Sequence, residues 1–201
     1  MDRIFYDLQN AVSQPGCPFC KIEKDTTRRY LDTLFYELIN DPAIRKKIIF
    51  GGGFCPAHTE LVFEERNSIL GIAILYQDLL SHYFEDQKTA SGCPLCQALK
   101  EKEHHLLTIL RKRWAELKPL WGERTFLCTR HLVSIQNEGK LTEEIGRLTQ
   151  NALHTIQQSL SGLIEKFDYR KSRLPVQEKE ALSWQETLEF FAGKSLKKER
   201  K

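Results

Sequence analysis

The chain has 201 residues, 41% of them hydrophobic and 28% charged, the balance of a globular protein and not of a disordered, collagen-like or membrane-spanning one. Its net charge of +3 comes from the last eight residues, where five basic side chains and one acid supply +4 and leave a body of −1; such a body argues against a protein built around a nucleic-acid groove, which needs clustered Lys and Arg. The longest apolar run, Ile69 to Tyr76, covers eight residues, where a bilayer crossing needs about 20.

Met1 is followed by Asp2, Arg3 and an amphipathic stretch, without the apolar core and small-residue cleavage site of a secretory signal. The expected compartment is therefore the cytoplasm. Gly16-Cys17-Pro18-Phe19-Cys20 then opens a helix whose apolar residues Ile22, Tyr30, Leu31, Leu34, Phe35, Leu38 and Ile39 keep three-and-four spacing. Asp41-Pro42 supplies an N-cap and an N1 proline for a short helix ending near Phe50. Gly51-Gly52-Gly53 breaks that helix, and Cys55-Pro56 starts another with His58 in its first turn. A longer helix is expected from about Asn67 to Asp86.

Gly92-Cys93-Pro94-Leu95-Cys96 repeats the first motif at an offset of 76 residues. A helix from Leu95 to about Leu117 follows, carrying Leu99, Leu106, Ile109, Leu110 and Trp114 and ended by Pro119 and Gly122. Helices are expected over Thr129 to Gln136 and Thr142 to Phe167, and a Pro-initiated amphipathic helix over Pro175 to Lys201 with Leu182, Trp184, Leu188 and Phe191 on its apolar side. Burial of that stripe against the body is the expected outcome. No stretch alternates like a strand, so the predicted fold is all-α.

Each C-x2-C is followed, after 34 and 31 intervening residues, by a C-x2-H: Cys55 and His58, then Cys128 and His131. These eight positions use all six cysteines. Zinc prefers tetrahedral sets of Cys thiolates and His nitrogens, and two-residue gaps let both members of a pair reach one ion. Pairing each motif with its nearest successor gives Cys17, Cys20, Cys55 and His58 as one Cys3His set and Cys93, Cys96, Cys128 and His131 as the other. The architecture this predicts is a pair of helical hairpins, each clamped by a metal site: a first repeat over residues 1–88, a second over 89–170, and a C-terminal helix with basic tail over 171–201, packed as one compact domain. The cofactors expected are two Zn2+, with two iron–sulfur clusters as the alternative. Disulfides would leave His58 and His131 unexplained, and the remaining histidines, His82, His104, His105 and His154, are expected at the surface or satisfied.

Gly16-Cys17-Pro18-Phe19-Cys20, Arg28-Arg29-Tyr30-Leu31, Glu37 with Asn40-Asp41-Pro42, and Gly53-Phe54-Cys55-Pro56-Ala57-His58 resemble an uncharacterised prokaryotic family classed as a domain of unknown function. The likeness continues through the second Cys-Pro-Leu-Cys and extends to Phe167-Asp168-Tyr169-Arg170. In the second copy Thr125-Phe126-Leu127-Cys128 stands for Gly-Phe-Cys, and Thr129-Arg130 for Pro-Ala. The resemblance implies the architecture and no activity.

No phosphate loop, nucleophile elbow or paired-carboxylate constellation stands out, and a closed Cys3His site leaves metal no open position for water. The function expected is a non-enzymatic, metal-stabilised helical protein with a structural or adaptor role toward an unknown protein partner. The alternatives are an iron–sulfur or zinc-thiolate redox protein and a nucleic-acid binder, the latter suggested by Arg111-Lys112-Arg113-Trp114, Lys166 to Arg173 and the tail. No membrane association is expected.

Overall fold

The computed structural model describes residues 3–64, 68–85, 92–167 and 175–194. Among them are ten α-helices and no strand: α1 (Arg3–Val12), α2 (Pro18–Thr33), α3 (Pro42–Phe50), α4 (Pro56–Glu64), α5 (Ile69–Phe84), α6 (Pro94–Lys112), α7 (Trp114–Leu117), α8 (Thr129–Ser134), α9 (Lys140–Lys166) and α10 (Glu178–Ala192). The predicted all-α class holds. No helix is long and apolar enough to cross a membrane among the described residues. The expected helix ends at Asn67 and Asp86, the Asp168-Tyr169-Arg170 stretch and the tail beyond Lys194 lie outside the described residues.

The chain divides into two compact units, one made of Met1–Lys24 with His104–Lys201 and the other of Asp25–Glu103. The expected boundary at 88/89 therefore falls inside the second unit. The first unit is discontinuous in sequence. Its core joins Phe5, Leu8 and Val12 of α1 to Phe19, to Leu106 and Leu110 of α6, and to Ile145, Ala152 and Ile156 of α9, the last three spaced along one face of the helix. The segment from Thr125 to Cys128 runs through this core with every residue buried, so the departure from Gly-Phe-Cys in the second copy gives an interior strut. Thr125 donates its hydroxyl to the carbonyls of Val12 at 2.9 Å and Gln14 at 2.8 Å, and the Leu127 N–H donates to the Thr149 hydroxyl at 3.2 Å. Buried backbone without a sheet partner must be satisfied in this way.

In the second unit Leu31, Leu34, Phe35, Ile39, Ile48, Val62, Leu75 and Leu95 form the core. The periodic run of α2 continues as a π-helical turn over Leu34–Leu38, which keeps Leu34 and Phe35 inward and leaves Tyr36 exposed. Asp41 caps α3 as predicted, its carboxylate accepting from the Ala43 N–H at 2.8 Å with Pro42 at the first helical position. Gly51 closes α3, and a Cβ at that position would stand 2.5 Å from the Gly92 carbonyl oxygen. Only glycine permits that approach. His82 is not at the surface: it is buried against Phe50, ring centroids 5.3 Å apart, and its Nε2 has no hydrogen-bond partner among the described residues.

Two expectations for the first unit's helices need correction. The helix starting at Pro94 does not run unbroken to Leu117; it stops at Lys112, where Arg113 leaves helical geometry (φ −120°, ψ 23°) before α7 resumes. Arg113 uses that bend to lay its guanidinium over the Phe5 ring, 3.2 Å from the centroid. The terminal helix begins at Glu178, not at Pro175, and turns the other way round: Trp184, Leu188 and Phe191 are 48%, 49% and 69% exposed, while Ser183, Glu186 and Glu189 are buried. Glu186 binds Arg124 through both carboxylate oxygens, and Arg124 also donates to the Ser159 hydroxyl at 2.9 Å. A paired, hydrogen-bonded ion pair has claimed the inner face that the apolar stripe was expected to take.

Trp184→Ala is accordingly expected to change unfolding free energy by about 1 kcal/mol or less, as surface substitutions do. Glu186→Ala strands a buried guanidinium and is expected to cost about 3 to 5 kcal/mol. Chemical denaturation of both variants beside the parent measures the contrast.

Candidate metal centres

All eight expected ligands fall into clusters, but the partners are exchanged. Cys17, Cys20, Cys128 and His131 form one set and Cys55, His58, Cys93 and Cys96 the other, with the four ligand atoms of each within 4.8 Å of one another. Each C-x2-C is thus completed by the C-x2-H of the other copy, and the sequential pairing is wrong. Backbone contacts at the glycine turns give the reason.

Backbone contacts at the glycines make the observed pairing. Gly16 has a positive φ of 100°, donates its N–H to the Arg124 carbonyl at 3.0 Å and forms a parallel bridge with Thr125. That bridge fixes Cys17 beside the strut that ends in Cys128. At the other centre Gly92, φ 72°, carries the carbonyl pressed against Gly51, which ties the Cys93 turn to the glycine turn ahead of Cys55. The residue between the paired cysteines anchors each turn, since both Phe19 and Leu95 are fully buried. The motif's Gly and its central apolar residue are therefore as much part of the site as the cysteines.

In the first centre His131 Nδ1 lies 3.3 Å from Cys17 Sγ, 3.5 Å from Cys20 Sγ and 3.1 Å from Cys128 Sγ, and the Cys20 and Cys128 sulfurs are 3.6 Å apart. In the second, His58 Nδ1 lies 3.3 Å from Cys55 Sγ, 3.3 Å from Cys93 Sγ and 3.4 Å from Cys96 Sγ, with Cys55 and Cys96 3.6 Å apart. Both imidazoles present Nδ1. These compact sets of three sulfurs and a nitrogen could each hold a metal ion.

The surroundings differ. The four residues of the first centre are 0 to 4% exposed. His131 Nε2 faces Glu23 Oε1 at 3.4 Å and Arg130 at 3.0 Å, and Arg130 is itself paired with Glu23, a carboxylate that orients the ligand imidazole from behind. Burial opposes charge on His131, yet the Cys128 and Cys17 sulfurs and Glu23 hold its pKa up at about 11. Hydrogen bonds from Cys17 and Cys20, joined by His131, hold the Cys128 thiol far below its ordinary range. Gly193 closes this centre, its α-carbon so placed that a Cβ would sit 3.8 Å from Cys128 Sγ. In the second centre Cys55, His58 and Cys93 are half-buried and Cys96 is exposed. Burial alone pushes the Cys93 thiol up, but the backbone N–H groups of Cys55, Cys96 and Leu95 outweigh it and lower the thiol pKa. No carboxylate faces His58 among the described residues.

Sequence reasoning missed Glu23 and Arg130, whose charges look like ordinary surface residues until the second half of the chain brings His131 to them. The basic run suggested for nucleic acid is largely engaged internally: Arg111 pairs with Glu138 at 3.1 Å and Arg113 with Glu116 at 2.5 Å. Glu144 accepts from Trp114 Nε1 at 2.8 Å and from Lys118 at 2.9 Å.

Fold and site together define a helical protein with two Cys3His clusters. Residues 7–91 match the model of the Family of unknown function (DUF6062), in agreement with the resemblance drawn from the motifs; the match holds Cys17, Cys20, Cys55 and His58 and stops short of Cys93. The uncharacterized 23.9 kDa protein in the xynA 3′ region of Caldicellulosiruptor sp. (strain Rt8B.4) is 27% identical over 195 residues, covering 88% of this chain and 95% of its own. No solved structure matches.

The exchanged pairing separates double variants by metal content. Cys20→Ser with Cys128→Ser is expected to lose only one bound ion, because both residues serve one centre, whereas Cys20→Ser with Cys55→Ser is expected to lose both. Elemental analysis of the purified variants distinguishes them, and the sequential pairing requires the reverse. Glu23→Gln is expected to weaken metal binding at the buried centre by about 10- to 100-fold, measured by competition with a chelator.

Proposed function

We propose that this protein binds two zinc ions, one in each Cys3His cluster, and acts without catalysis as a metal-stabilised helical adaptor for a protein partner. The donor geometry carries the reading. Tetrahedral zinc with bonds of about 2.3 Å to sulfur and 2.0 to 2.1 Å to nitrogen spans edges of about 3.8 Å between sulfurs and 3.5 Å between sulfur and nitrogen. The observed 3.6 Å and 3.1 to 3.5 Å are within a small expansion of that. Sulfurs this close support a single ion at each centre over the iron–sulfur cage of the alternative.

With three thiolates and an imidazole on each ion, no position is left for water or substrate, which favours a structural over a hydrolytic role. Bound zinc would supply a fixed tetrahedral cross-link; the chain's residues select it through sulfur and Nδ1 and orient it through Glu23. Six free thiols suit a reducing compartment such as the cytoplasm. Support for an adaptor comes from apolar surface left over once each unit has packed: Trp184, Leu188 and Phe191 on α10 in the first unit, and Phe63 with Ile69, Leu70, Tyr83 and Phe84 in the second. The three on α10, spaced i, i+4 and i+7, share one helix face, and an exposed apolar face of this kind suits a binding surface.

Protein purified without oxygen is expected to carry two zinc ions per chain. Structural zinc is worth roughly 10 to 16 kcal/mol in small peptides at neutral pH, against a typical whole-domain stability of about 5 to 15 kcal/mol. A strong chelator is therefore expected to abolish cooperative melting, followed by far-UV circular dichroism; unchanged helicity and melting after complete metal removal would contradict the reading.

A further inference from the structure

The two centres have the same donors and opposite environments, and that asymmetry is unused by a purely structural role. We propose that the exposed Cys55–His58–Cys93–Cys96 centre is an oxidisable, metal-releasing site, responsive to peroxides, while the buried centre keeps its ion; this rests on the zinc reading above.

Three observations point the same way. Cys96 is exposed and its partners half-buried, whereas the residues of the other centre are at most 4% exposed; oxidation of sulfur needs access and a thiolate, and ligation to zinc supplies the thiolate. Cys55 Sγ stands 3.6 Å from Cys96 Sγ, near enough for a resolving thiolate to close a disulfide of about 2.05 Å with little movement. His58 has no carboxylate behind it among the described residues, while Glu23 braces His131, and such bracing is what raises retention of a metal.

The chemistry closes without a further reductant or oxidant. The Cys96 thiolate attacks one oxygen of the peroxide, the O–O bond breaks, hydroxide leaves, and the sulfur becomes a sulfenic acid. The Cys55 thiolate attacks that sulfur, forming the S–S bond and breaking the S–O bond with loss of a second hydroxide. Two protons from solvent convert the hydroxides to water; two sulfurs have given up two electrons and the peroxide has taken both. Cys93 and His58 alone then hold the ion, too few donors for a closed zinc site. Thiol reduction returns both sulfurs and restores the four-donor set.

The test uses the full-length chain, first shown by elemental analysis to hold two zinc ions, titrated with hydrogen peroxide beside a chromogenic zinc indicator. One equivalent is expected to be released, at a rate higher by about tenfold or more than the second, with a Cys55–Cys96 disulfide found by peptide mass mapping and full rebinding after thiol reduction and added zinc. Release of both ions at one rate, release of neither, or first oxidation among Cys17, Cys20 and Cys128 would overturn the proposal. A chain that binds fewer than two zinc ions before peroxide is added would overturn the zinc reading itself, and this inference with it.

Discussion

The meeting of Cys17 and Cys20 with Cys128 and His131 is the constraint on which the first unit depends. Its donors are 108 to 114 residues apart, and three features of the unit exist around their junction: the Gly16–Thr125 bridge, the buried strut from Thr125 to Cys128, and α10 laid across it with Gly193 against Cys128. Closing so long a loop is less costly than it looks, because closure entropy grows only with the logarithm of length, about 0.6 kcal/mol per doubling. Loop length therefore does not choose between nested and sequential pairing. The glycine contacts choose.

The legible part of the fold was the part written in short-range chemistry. Helix starts at Pro42 and Pro56 follow from proline's fixed φ at the first helical turn, and the eight donors follow from spacing. Ligand pairing was illegible because the two C-x2-C and the two C-x2-H elements are chemically interchangeable; the signal that separates them, a glycine carbonyl against Gly51 or a bridge from Gly16 to Thr125, lies in backbone contacts with no side chain to reveal them. Glu23 was invisible for a different reason: its carboxylate reads as an ordinary surface charge until the fold brings His131 to it.

The orientation of α10 failed in a more instructive way. Trp184, Leu188 and Phe191 make the stronger apolar stripe, yet the helix buries Ser183, Glu186 and Glu189. Periodicity measures which face is apolar, not which face has a partner of matching charge. Arg124, 7% exposed in its side chain, must be neutralised wherever it sits, and a lone buried guanidinium costs more than an exposed tryptophan. Once Glu186 answers it, the stripe is turned outward, and apolar surface becomes available to other molecules as a by-product of an internal electrostatic requirement.

Nesting also sets a timetable for synthesis. At about 5 to 20 residues per second, roughly 110 residues must follow Cys20 before His131 emerges, a delay of about 5 to 20 s. Cys55 and His58 emerge after only a third of that interval and, with Cys17 and Cys20, complete a chemically competent quartet of three thiols and an imidazole. The nascent chain thus meets a wrong site before either right one can exist. On the zinc reading proposed above, a metal captured there early would have to be surrendered as Cys93 and Cys96 arrive, so assembly would depend on ligand exchange keeping pace with folding.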